Sequence, residues 1–209
     1  MITLHDILAA AGQGRLPQPG AGPTIVPQPS RRDAGVIAFT AHNVVFADLD
    51  HGWIRSRLPE GDLSAPLNPP FLGQLEVRME RRVNNIDMLA LGSPCAGRPP
   101  IDLAEVMDEA HPRVERARRY RDDVCVWTCA GGVLIIGRGV AGRWEVAIEV
   151  DPADRGRGLG RALARAARHL TGHPLWAQIA PGNAASVRAF LAAGYVPIGA
   201  EALLVQTSL

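Results

Sequence analysis

Apolar and polar positions change period several times along the chain, and each change marks an expected element. Helical spacing over residues 3–11 gives way to residues 12–34, rich in Pro, Gly and Gln with one apolar island at Thr24-Ile25-Val26. That composition predicts a surface arm, partly extended or disordered. β-formers crowd Val36 to Leu49, so extended structure bent at His42-Asn43 is expected there. From Pro70 to Val83, Phe71, Leu72, Leu75, Val77 and Met79 recur at helical spacing, and Asn85 to Leu91 reads as a strand.

The second half alternates more cleanly. A helix is predicted from Leu103 to Tyr120, interrupted at Pro112, followed by strands at 123–130, 133–138 and 143–150. Gly131-Gly132 makes the first two strands a tight hairpin. Helix from Gly158 to Leu170, strand from Leu175 to Ala180, helix from Asn183 to Ala193, and strands at 196–198 and 202–206 complete the chain. Strands and helices therefore interleave in one mixed α/β sheet. No internal repeat is present, and the division expected is an arm, 1–34, and a single domain, 35–209.

Composition narrows the class. The 209 residues are 47% hydrophobic and 21% charged with net charge +1, ordinary for a globular domain and without the field that would hold nucleic acid or an anionic membrane. The longest apolar run, about Val124 to Gly137, is broken by Thr128 and a Gly-Gly pair, so no membrane span is expected. Three cysteines, an odd number without C-x-x-C spacing, argue against disulfides and thiolate zinc and for a reducing cytoplasm. Asp48, Asp50 and His51 are too few for a metal site, and Asp50 is better read as a helix cap. No metal is expected.

The strongest local signal is strand, Gly-rich turn, helix. Glu145 to Val150 leads through Asp151-Pro152-Ala153-Asp154 to Arg155-Gly156-Arg157-Gly158-Leu159-Gly160, and then Leu159, Ala162, Leu163, Ala166, Ala167 and Leu170 form one apolar face opposite Arg161, Arg165 and Arg168. Glycines let backbone approach a ligand, and the first helical turn offers unpaired N–H groups at a positive dipole end. Arg155, Arg157 and Arg161 add charge for a diphosphate. A dinucleotide site of the G-x-G-x-x-G type would want a carboxylate about 20 residues on, where the chain reads Leu175-Trp176-Ala177-Gln178-Ile179-Ala180. A P-loop lacks its Gly-Lys-Ser/Thr.

At these residues the chain resembles the GNAT (GCN5-related N-acetyltransferase) superfamily, whose acetyl-CoA loop runs Q/R-x-x-G-x-G/A. Arg155, Gly158 and Gly160 fill every specified position. A second segment, Asn183 through Phe190 to Gly194-Tyr195, is similar to the family's later motif, in which an Asn opens a helix that ends in Gly and an aromatic. The likeness covers roughly residues 110–209. It implies a mixed, mostly antiparallel sheet flanked by helices, with strands splayed at the acetyl-CoA site. It also implies that acetyl-CoA passes its acetyl group to an amine of a small molecule or peptide by direct attack on the thioester. Assembly as a homodimer is compatible with it.

By the same resemblance, the pantetheine arm would pair with main chain near Ile148 and Val150, and the diphosphate would sit on residues Arg155 to Arg161, including Leu159. Asn183 and Ser186 read equally as cofactor contacts or as helix caps. An alkylamine with a pKa of about 10.4 must lose a proton before it attacks. Glu145 and Glu149 lie on one face of their strand and are the candidate bases, against the alternative of a strip paired with arginine. Many family members carry a general-acid Tyr where this chain has Phe190, which favours an alternative: a non-catalytic acyl-CoA-binding or regulatory module.

Overall fold

The structure, a computed structural model, describes residues 2–107 and 111–206. Its helices are α1 Leu4–Gly12, α2 His51–Ser56, α3 Pro69–Met79, α4 Pro112–Tyr120, α5 Leu159–Ala167 and α6 Ala184–Ala192. Its first strands are β1 Thr24–Val26, β2 Gly35–Phe39, β3 His42–Phe46, β4 Arg81–Gly92 and β5 Ala104–Val106. The later strands are β6 Asp122–Cys129, β7 Gly132–Arg138, β8 Trp144–Val150, β9 Leu175–Ile179 and β10 Val196–Gln206. Two compact units result, one of Met1–Leu89 with Ile198–Leu209, the other of Ala90–Pro197.

In the first unit, β2 pairs antiparallel with both β3 and β10, and β1 adds to β3 in parallel. Every residue of β3 is buried, as expected of a strand covered on both faces. The core gathers Val36, Val45, Ile54, Phe71, Leu75 and Leu204. The Pro/Gly-rich arm is tied down: β1 lies in the sheet, and the Arg81 guanidinium donates to the carbonyls of Arg31 (2.6 Å), Arg32 (3.1 Å) and Leu204 (3.1 Å). The extended run at 36–49 is a hairpin with its turn at Thr40-Ala41 rather than a bent strand. The two late strands are one, β10, because Gly199 presents no Cβ where the Ala38 carbonyl approaches.

In the second unit the strand order is β9-β8-β7-β6-β5, antiparallel except for the parallel pair β8–β9. The helix expected over 103–120 divides differently: Ala104–Val106 is an edge strand on β6, and α4 begins at Pro112 with His111 as its cap. Proline suits the first helical position, whose N–H needs no partner, so Pro112 opens a helix instead of interrupting one. The middle of the expected helix, 108–110, lies outside the described residues. Val114 and Ala117 of α4 pack on Val126, Val133 and Ile135, covering one face. On the other face lies α5, where Leu163 comes close to Gly132 of β7. Both units are mixed α/β with mostly antiparallel strands flanked by helices.

Candidate functional site

Strands β8 and β9 meet at a single register pair, Glu145↔Trp176, at the start of each, whereas β7 and β8 pair over their full length. Beyond that pair β8 has no register partner on its β9 side among the described residues, so its far end borders a cleft. The Asp151 amide donates to the Gly131 carbonyl at 2.9 Å. Backbone groups alternate along an antiparallel ladder, so those of Glu145, Ala147 and Glu149 face β7. The N–H and C=O of Ile148 and Val150 face the cleft. Arg155 Nε already donates to the Val150 carbonyl, at 3.1 Å.

The turn after β8 is anchored at its base, since Asp154 N–H donates to the Asp151 carbonyl at 2.9 Å and the Asp154 side chain packs against Gly131. Gly156 and Gly158 then take φ of +78° and +87°, and an added Cβ would meet nothing within 4 Å at either. Gly158 caps α5 with no side-chain hydrogen bond to the helix. The first intrahelical bond is Ala162 N–H to the Gly158 carbonyl, at 3.1 Å, which leaves the amides of Leu159, Gly160 and Arg161 without helical partners. Gly160 differs: a Cβ there would rest at 3.7 Å from Val150 and Ala189, ordinary contact. That agrees with a motif admitting Ala at this position.

Arg155, Arg157 and Arg161 are exposed around these amides, and Arg157 reaches Asp154 only at 3.5 Å. From Arg155 to Ala200 the chain has six arginines and no Asp or Glu. Asn183 accepts from the Ser186 amide at 3.1 Å and caps α6, so its side-chain oxygen is engaged in the helix.

The two glutamates share the face turned to α4, as alternation requires, but their surroundings differ. Glu145 is buried, with Oε2 at 2.9 Å from Arg121 Nε and Oε1 at 2.8 Å from Arg143 Nε and 3.2 Å from Val140 N–H. Burial alone would raise its pKa, yet the two guanidiniums hold it below the ordinary carboxylate value. Glu149 is partly exposed at the cleft end of β8 and pairs with Arg113 of α4 at 2.5 Å. That hydrogen bond, opposed by some burial and reinforced by the charges of Arg113, His111 and Arg155, lowers its pKa too.

Phe190 is buried with its ring 4.9 Å from Tyr195 in a T-shaped contact. The Tyr195 hydroxyl is buried without a hydrogen-bond partner among the described residues, and burial raises its pKa. His111 and Arg113, beside Glu149, belong to the run His111 to Arg121, whose basic character reads in sequence as an attractor for an anionic acceptor near the cofactor mouth. A solvated helix face is the commoner explanation of such a run.

Residues 102–195 match the family model described as Acetyltransferase (GNAT) family. These residues form a GNAT-family domain. The match begins just before β5 and closes at Tyr195, so the loop, the parted strands and both glutamates lie inside the GNAT segment. Among solved structures, a GCN5-related N-acetyltransferase from Kribbella flavida aligns at 16% identity over 66% of this chain and 65% of its own, with TM-score 0.41. A GNAT-family acetyltransferase from Colwellia psychrerythraea aligns at 11% identity over 66% and 63%, with TM-score 0.40. The aligned part thus spans just under two thirds of those two chains. No curated protein matches the chain.

Proposed function

We propose that the GNAT domain is an acetyl-CoA-dependent N-acetyltransferase acting on an amine. One observation carries the reading: free helix-start amides, two left-handed glycines and three arginines stand at the end of a strand whose neighbour has parted from it. Acetyl-CoA supplies the activated thioester. The amides of Leu159, Gly160 and Arg161, with Arg155, Arg157 and Arg161, hold the diphosphate by charge-assisted hydrogen bonds. The cleft-facing backbone of Ile148 and Val150 receives the pantetheine amides and orients the carbonyl for direct attack.

Glu149 is the acid–base group of this reading, because it is reachable from the cleft and ionised at neutral pH. Glu145 is structural, since three donors hold its carboxylate inside the protein. Asn183 and Ser186 serve the α6 cap, and any contact they make with the cofactor is additional. A reducing cytoplasm suits the free Cys95, Cys125 and Cys129.

The test is thiol release from acetyl-CoA with a panel of amines, beside calorimetric titration of coenzyme A. Glu149→Gln is expected to spare binding and lower the rate; an unchanged rate would clear Glu149. The alternative, a non-catalytic acyl-CoA-binding module, is favoured by Phe190 where family members often carry Tyr, and by the inaccessible Tyr195 hydroxyl. It predicts cofactor-induced thermal stabilisation with no turnover above buffer.

A further inference from the structure

The far end of β8 brings a guanidinium and a carboxylate together. Arg113 and Glu149 are both partly exposed there, one on α4 and one on β8, 2.5 Å apart. Arg113 uses Nε for this contact, and a guanidinium has further donors in a fixed fork. Its two terminal nitrogens therefore remain to grip a second carboxylate while Nε stays anchored. An adjacent guanidinium and carboxylate are the charge complement of a zwitterion, whose ammonium and carboxylate are likewise adjacent.

The wider field points the same way. Helix α4 carries Arg113, Arg116, Arg118 and Arg119 against Glu115 alone, and the charges of His111 and Arg155 also act on Glu149. A polycationic acceptor such as a polyamine would meet the net positive charge of α4, an unfavourable approach.

We infer that the acceptor is an α-amino acid or a similar amine with a neighbouring carboxylate, bound with its carboxylate on the Arg113 fork and its ammonium on Glu149. This rests on the acetyltransferase reading above. Binding in this pose turns Glu149 from a partner of Arg113 into the receiver of the substrate's proton. The nitrogen bonds to the acetyl carbon as the carbon–sulfur bond breaks. Two protons leave the ammonium: Glu149 relays one to solvent, and the other ends on the departing sulfur, giving free thiol and the N-acetyl amino acid.

The experiment measures thiol release from acetyl-CoA with the protein L-amino acids, each beside its carboxamide and its decarboxylated amine, and with spermidine. At least one free amino acid should exceed its carboxamide and decarboxylated partners in kcat/KM by tenfold or more. Arg113→Ala should raise KM for that amino acid at least tenfold, leave the calorimetric affinity for coenzyme A unchanged, and abolish the discrimination. Arg113→Lys should restore part of it. Equal or better turnover of carboxamides, decarboxylated amines or spermidine would overturn this assignment and leave the acetyltransferase reading standing. An unchanged KM in Arg113→Ala would do the same. Coenzyme A binding with no turnover of any amine would overturn both.

Discussion

Replacing Glu145 with Gln separates a structural carboxylate from a catalytic one. The substitution keeps shape but removes the negative charge that Arg121 and Arg143 share, and it turns an amide N–H₂ toward one of them. The Arg143 side chain is 2% exposed and lies over the Trp176 ring at 5.0 Å, so its charge cannot turn to water. Breaking one partner of a buried pair costs about 3–5 kcal/mol. At roughly 2–4 °C per kcal/mol for a chain of this size, the melting temperature should fall by about 10 °C. The pH dependence has a definite sign. A carboxylate whose folded pKa lies below its unfolded value of about 4.3 contributes stability above that value and loses it as pH falls through the folded pKa. The wild-type advantage over Glu145→Gln should therefore be full at pH 6 and shrink below about pH 4. Urea titrations at several pH values, with thiol release measured on the folded variant, provide the assay. A variant as stable as wild type but catalytically dead would refute the reasoning.

Three further outcomes are expected. Gly139→Ala should destabilise by about 1–3 kcal/mol, because a Cβ there runs into the Glu145 carboxylate; in a Glu145→Ala background, chemical denaturation should show most of that penalty gone. Gly158→Ala should cost about 1–2 kcal/mol for its left-handed backbone and weaken coenzyme A binding by calorimetry, whereas Gly160→Ala, at a site of ordinary contact, should be nearly silent in both. Phe190→Tyr should lower stability by about 1–3 kcal/mol by burying a hydroxyl without a partner and should not raise the rate of thiol release; a faster variant would show that the missing tyrosine limits the proposed reaction.

Local patterns carried most of what positions the site. The run Glu145–Gly160 and the helix after Asn183 announce themselves because strand alternation, left-handed glycine and capping are decided within a few residues. Ala104–Val106 misled because its pairing with Thr128–Val126 is non-local, and edge pairing overrides a helical spacing as short as this one. The arm at 12–34 was read as loose because nothing near it in sequence shows that Arg81, about 50 residues on, clamps its carbonyls. The different surroundings of Glu145 and Glu149 were hidden for the same reason. Both alternate onto one face, and only the approach of Arg113 on α4 and of Arg121, its C-cap, distinguishes the enclosed carboxylate from the open one.

The stretch from Arg155 to Ala200 has six arginines and no Asp or Glu. The attraction this surface exerts on a multiply charged phosphate rests on guanidiniums, which stay charged at any pH a folded protein meets. What tunes it is ionic strength, through screening over a Debye length of about 8 Å at physiological levels. Capture of its ligand should therefore slow steeply in concentrated electrolyte.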